Sequence, residues 1–171
     1  MNPWWRTPLW QEGDSDLRAV RISGLGYRSQ CLDDLQAGGL YRLRGPRRVG
    51  KTVSVKQAIQ SLLEKGVPPL AIVRAAVDGW TANDLRTLVQ NVALPPAPGG
   101  IARWWFIDEV TAVSGDWATQ IKWLRDNDPS FASATVVLTG SNAEGLTGAA
   151  GTLAGRRGRI ESADRTLLPI G

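Results

Sequence analysis

Four short apolar stretches, separated by segments in which apolar residues recur at helical spacing, set the pattern of this chain. Leu40, Tyr41 and Leu43 alternate with Arg42 and Arg44 as the residues of a short strand do. Leu70 to Asp78 (LAIVRAAVD), Ile101 to Val110 (IARWWFIDEV) and Ala134 to Ala143 (ATVVLTGSNA) are apolar runs of strand length, the pattern of parallel strands buried on both faces. Between them, Lys51 to Leu63 carries Val55, Ala58, Ile59, Leu62 and Leu63 at helical spacing and stops at Gly66, Pro68 and Pro69. Thr81 opens a second helix with Asp84 three residues on, an imperfect capping arrangement, and Leu85, Leu88, Val89 and Val92 form its inner face. Ser114 to Asp126 is a third, with Trp117, Ile121 and Leu124 on one face and Lys122 and Arg125 on the other. Buried strands alternating with amphipathic helices predict an α/β fold built on a mostly parallel sheet.

The remaining segments are less regular. MNPWWRTPLWQEGDSDLRAV has three tryptophans and an acidic patch with little periodicity, and is expected to wrap over the core as an extended arm. Its indoles either pack against other elements or offer a stacking surface for adenine or a partner. Val20 to Ser29 alternates loosely, as a short extra strand would, and Cys31 to Gln36 reads as one or two helical turns ended by Gly38 and Gly39. LPPAPGG is a surface loop, too short to link domains.

With 171 residues, 43% of them hydrophobic and 21% charged, the chain has the composition of one globular domain. No run approaches the roughly 18 apolar residues of a membrane helix, and the N-terminus lacks the form of a secretory signal, so a cytoplasmic protein is expected. Histidine is absent and Cys31 stands alone, which excludes disulfides within the chain, Cys/His zinc sites and histidine acid–base chemistry. A general base must then be a carboxylate or a lysine. The net charge of +4 rests mainly on arginine, which suits nucleotide phosphates, a DNA surface or simple genome composition.

Against that background one motif carries chemistry. GPRRVGKT, from Gly45 to Thr52, meets every fixed position of the phosphate-loop pattern G-x-x-x-x-G-K-[ST], and it lies between a strand and a helix as the motif requires. The glycines let the backbone turn its N–H groups inward around a phosphate, and the helix that follows presents its positive end to the same anion. Gly45, Pro46, Arg47, Arg48, Val49, Gly50, Lys51, Thr52 and Val53 are the candidate nucleotide-binding residues, with Lys51 on the terminal phosphates and Thr52 on Mg²⁺.

The second apolar run ends in Asp108 and Glu109, at the carboxyl end of a parallel strand where ligand crevices open. Asp108 would hold Mg²⁺ through its water shell and Glu109 would polarise the attacking water. At the end of the next run Thr139, Ser141 or Asn142 could sense the terminal phosphate, or simply start a turn. Arg156, Arg157 and Arg159 follow a glycine-rich loop, where they form a phosphate-reaching arginine in cis, an arginine finger in trans, or a solvated turn.

NPWW at Asn2 to Trp5, LRGPRRVGKT at Leu43 to Thr52, FIDEV at Phe106 to Val110, the DW…IKWLRD run at Asp116 to Asp126, LTGSN at Leu138 to Asn142 and LAGRRG at Leu153 to Gly158 together resemble one group. They are similar to AAA-type ATPases of bacteria and archaea, from the STAND and archaeal-ATPase neighbourhood. The resemblance implies an ASCE-type, three-layer phosphate-loop NTPase with a five-stranded sheet in the order 5-1-4-3-2, and ATP and Mg²⁺ as ligands. It also implies Lys51, Glu109, Ser141 and Arg156 or Arg157 in catalytic roles, and Thr52 and Asp108 as metal residues. GKTVSVK stands where relatives read GKTTLLK, and the chain stops at LLPIG where relatives continue, so it is expected to be the ATPase core: residues 39–171, with 1–38 as an arm packed on it. Expected function is Mg²⁺-dependent ATP binding with slow hydrolysis, aided by self-association or a protein partner. A nucleotide-dependent switch is the alternative, a DNA-acting module is less favoured, and no membrane is involved.

Overall fold

The computed structural model describes residues 2–24, 29–46, 48, 50–91, 98–141, 145–146, 149, 152–153 and 164–167. Its centre is a five-stranded sheet of β1 (Leu40–Arg44), β2 (Ile72–Ala76), β3 (Trp104–Asp108), β4 (Thr135–Gly140) and β5 (Asp164–Thr166), ordered β2-β3-β4-β1-β5. Every pairing is parallel. This is the expected order read from its other edge, and the fifth strand, which no apolar run marked, lies against β1 through Asp164 to Thr166.

Side chains of a strand alternate between its two faces, and here both alternating sets are apolar. Leu40, Val73, Trp105, Ile107, Val136 and Leu138 meet Leu85 and Val89 of α4 (Ala82–Val89) and Trp117, Ile121 and Leu124 of α5 (Trp117–Asn127). Tyr41, Leu43, Ile72, Phe106 and Val137 meet Val55, Ile59 and Leu62 of α3 (Lys51–Glu64), with Trp4, Trp10 and Leu17 beyond. The result is helix, sheet, helix: a three-layer α/β fold whose strands all point their carboxyl ends to one side.

The N-terminal segment is not an extended arm. It forms a 3-10 turn at Pro3–Trp5, α1 (Trp10–Gly13) and α2 (Ser15–Ile22). The acidic patch explains the difference, because Asp14 caps α2 by accepting from the N–H groups of Asp16 and Leu17 and pairs with Lys56 of α3 at 2.8 Å. Residues through Ile22 are therefore helix rather than the extra strand expected from Val20. Cys31 to Asp34 forms turns instead of a helix. Among the indoles, Trp4 and Trp10 are buried and stack edge to face.

This segment covers the sheet edge. The indole N–H groups of Trp4 and Trp5 both donate to the carbonyl of Ile72, and the side-chain oxygen of Asn2 accepts from the main-chain N–H of Arg74. Being an edge strand, β2 is buried at Ile72 and Val73 but half-buried at Arg74 and Ala75 and exposed at Ala76, so it is not enclosed on both faces as its composition suggested. Leu70 and Ala71 belong to a 3-10 turn ahead of it.

Two arginines break the expected polar faces. Arg42 in β1 is buried, donating to the carbonyl of Leu146 and pairing with Asp164 at 2.5 Å. Arg125 in α5 is buried as well, because α6 (Pro129–Ala132) folds back over the helix end and gives it the carbonyls of Phe131 and Ala132 as acceptors. The arrangement of Thr81 and Asp84 is a complete capping box despite the aspartate in place of glutamate. Val92 and most of the proline-rich loop, 92–97, lie outside the described residues.

Candidate functional site

At the carboxyl ends of β1, β3 and β4 the apolar pattern gives way to a cluster of polar side chains, all on the α3 side of the sheet. After β1 the chain passes through Gly45 and Pro46, turns at Arg48 and Gly50 with φ of 62° and 92°, and enters α3 directly at Lys51. The left-handed turn at Gly50 suits a residue without Cβ, and no side chain caps the helix, so its first N–H groups face the loop. Lys51 is buried, donating to the carbonyls of Gly45 at 2.7 Å and Pro46 at 2.6 Å. Val53, one residue past Thr52, packs its side chain on the apolar layer.

Asp108 ends β3 with 1% of its surface exposed. Its Oδ1 accepts from the Thr139 hydroxyl of β4, and its Oδ2 accepts from the Thr52 hydroxyl at 3.1 Å and from Arg74 Nη2 at 2.7 Å. Glu109, the next residue, has φ of 62°, a conformation few non-glycine residues adopt and one that collects at functional sites. Its N–H donates to Thr139 Oγ1, and its carboxylate accepts from the Ser141 hydroxyl at 3.1 Å and lies 3.9 Å from Lys51 Nζ. Gly140 makes this crossing possible, since a Cβ there would sit 2.6 Å from Thr111 Cγ2 in the turn after β3.

Of the residues singled out from the sequence, Gly45, Pro46, Gly50, Lys51, Thr52, Asp108, Glu109, Thr139 and Ser141 therefore fall within one neighbourhood, while Arg48 is exposed on the loop. Of the three polar candidates at the end of β4, Thr139 holds Asp108 and Ser141 holds Glu109, and Asn142 lies outside the described residues. Arg47, Val49, Arg156, Arg157 and Arg159 lie outside them too. One member was missed. Arg74 is a single arginine within an apolar run, and the alternation along β2 puts it on the same face as Asp108; that interruption was the available signal.

The donor set fits a hard divalent cation. A hydroxyl and a carboxylate oxygen lie 3.1 Å apart at Thr52 and Asp108, and no cluster of three or more His, Cys, Asp or Glu capable of enclosing a metal occurs among the described residues. Mg²⁺ characteristically takes one or two protein oxygens and completes its shell with water and phosphate.

The profile of a family described as an AAA domain matches residues 38–165. No curated protein sequence matches the chain. Among solved structures it is similar to a DNA polymerase III gamma subunit-related protein from Thermotoga maritima, at 13% identity and a TM-score of 0.48, covering 92% of this chain and 46% of that one. It is also similar to a Walker-type ATPase of Pyrococcus abyssi, at 14% identity and a TM-score of 0.45, covering 92% and 53%. The chain spans about half the length of each.

Proposed function

The chain belongs to the AAA domain family, and from that premise we propose that it binds ATP together with Mg²⁺ and hydrolyses it slowly. The observation that carries this reading is the convergence of Lys51 and Thr52 from the start of α3 with Asp108 and Glu109 from the end of β3 onto one point beside an uncapped helix N-terminus. In it Lys51 exchanges the carbonyls of Gly45 and Pro46 for phosphate oxygens, and the first N–H groups of α3 face the same phosphates. Thr52 and Asp108 hold the cation, which when bound neutralises charge on the phosphates. Glu109, kept in place by Ser141, takes a proton from the attacking water, so that ATP and water give ADP and phosphate.

The functional core in this reading is residues 39–171, with 1–38 packed on it. Arg42 and Arg125, which are buried, and Arg74, which faces Asp108, are engaged within the fold and do not form a DNA surface. No described helix is long and apolar enough to cross a membrane. The test is calorimetric titration with ATP, with and without Mg²⁺, followed by an assay of released phosphate. Binding that strengthens with Mg²⁺ and slow release are expected. Binding without release identifies a nucleotide switch, and absence of binding in both conditions overturns the reading.

A further inference from the structure

Asp108 is the most deeply buried acid in the site, and a buried carboxylate requires a counter-charge. Among the described residues the cation within ion-pair distance is Arg74, with Nη2 at 2.7 Å from Oδ2. Lys51 is directed instead to Gly45, Pro46 and Glu109. The oxygen that Arg74 contacts is the one that also receives the Thr52 hydroxyl, at 3.1 Å. Arg74 is held for that contact from behind, since its main-chain N–H bonds to Asn2 and the two indoles of Trp4 and Trp5 fasten Ile72 two residues earlier. Its Nε is buried without a hydrogen-bond partner. Arg125 gives its Nη1 and Nη2 to four main-chain carbonyls, whereas Arg74 gives its Nη2 to a carboxylate and keeps a buried Nε unmet.

We propose that Arg74 is a positioning residue that acts as the resident counter-ion of Asp108, competes there with the divalent cation, and so sets how strongly ATP affinity depends on the metal. The inference rests on the assignment of the cation to Thr52 and Asp108. A cation reaching those two groups, directly or through its water shell, needs the oxygen that Arg74 occupies and brings positive charge beside the guanidinium. Each therefore weakens the other, a reciprocal negative coupling. Without the guanidinium, metal-free ATP meets an uncompensated carboxylate and binds less well, while the cation meets no rival and binds better. Both changes raise the ratio of ATP affinity with metal to ATP affinity without it.

The experiment measures that ratio by calorimetry, in Mn²⁺ and in EDTA, for the full chain and for Arg74→Met, Arg74→Lys, Asp108→Asn and the double variant Arg74→Met with Asp108→Asn. Arg74→Met should raise the ratio tenfold or more, the scale of one charge-assisted hydrogen bond. Arg74→Lys, which keeps the charge without the fork, should fall between. In the Asp108→Asn background Arg74→Met should change the ratio little, because the residue acts through that carboxylate. Thermal denaturation covers instability of the variant: Mn²⁺ with ATP should raise the Tm of Arg74→Met more than that of the wild type. Equal weakening of ATP with and without metal, a lower ratio, or the same effect in the Asp108→Asn background would make Arg74 a structural residue and overturn the proposal alone. A wild-type chain that binds no ATP in either condition overturns the nucleotide reading and this proposal with it.

Discussion

Arg125 and Asp108 are both charged and both buried, and they sit at opposite ends of one sheet. Arg125 lies below the amino ends of β1 and β4, where its Nη1 donates to the carbonyls of Phe131, Ala132 and Ala134 at 2.7, 3.1 and 2.6 Å and its Nη2 to Gly38 at 2.7 Å. Burial pushes its guanidinium down from the ordinary value. Asp108 lies at the carboxyl end of β3, and its partners are side chains: Thr52 of α3, Arg74 of β2 and Thr139 of β4. Main-chain carbonyls cannot turn away without unfolding the segments they belong to, whereas hydroxyls and a guanidinium can rotate to new partners. The first arrangement ties the fold together, and the second can exchange its partners for a ligand.

Exchanging one side chain at each end separates the two roles. Arg125→Met takes a donor from four carbonyls, two of them buried and two part-buried, and it should cost about 3 kcal/mol, a Tm lower by roughly 6–12 °C for a domain of this size. The ATP affinity of the molecules that remain folded should be unchanged. A Tm within about 2 °C of wild type would show that the carbonyls find water instead. At the other end Glu109→Gln should leave Tm and ATP affinity near wild type while slowing phosphate release by about 10²-fold, the scale of losing a general base. Equal turnover in the two proteins would remove Glu109 from the chemistry.

The smallest effect is expected away from both ends, at Asp14. Burial raises the pKa of its carboxyl, but Lys56 and the N–H groups of Leu17 and Asp16 outweigh that and hold it below the ordinary value of 3.8. A depressed pKa in the folded state means that the stabilisation is present above the unfolded value and lost as pH falls through the folded one. Asp14→Asn keeps a capping oxygen and removes the charge, so it should cost about 0.5–1 kcal/mol at pH 7. The difference between the two proteins should shrink as pH falls below about 4. A difference independent of pH would assign the effect to packing.

These comparisons also mark what could be read in advance. The phosphate loop was legible because its residue types and spacing are local, and Asp108 and Glu109 because an apolar run ends in them. Thr139 and Ser141 were legible as candidates, but the division between them depends on the turn at Glu109 and the close approach at Gly140, which only the folded backbone supplies. Arg125 was misplaced because a helical wheel sees α5 alone and not α6 folding over its end. Arg74 was passed over because one arginine in an edge strand needs no special account until the neighbouring strand brings Asp108 to it. The helix α2 was hidden by its polarity, since an Asp-Ser-Asp sequence reads as an acidic patch unless Lys56 is known to face it.

Lys51 tests the central claim most directly. It is buried, so Lys51→Met keeps the aliphatic stem and the packing while removing the ammonium. Titrated with ATP and Mg²⁺ in a calorimeter, the wild type should bind and Lys51→Met should bind at least about 100-fold more weakly, the loss of charge-assisted contacts to phosphate, with Tm nearly unchanged. Wild-type affinity in Lys51→Met would contradict the assignment of this loop to nucleotide phosphate.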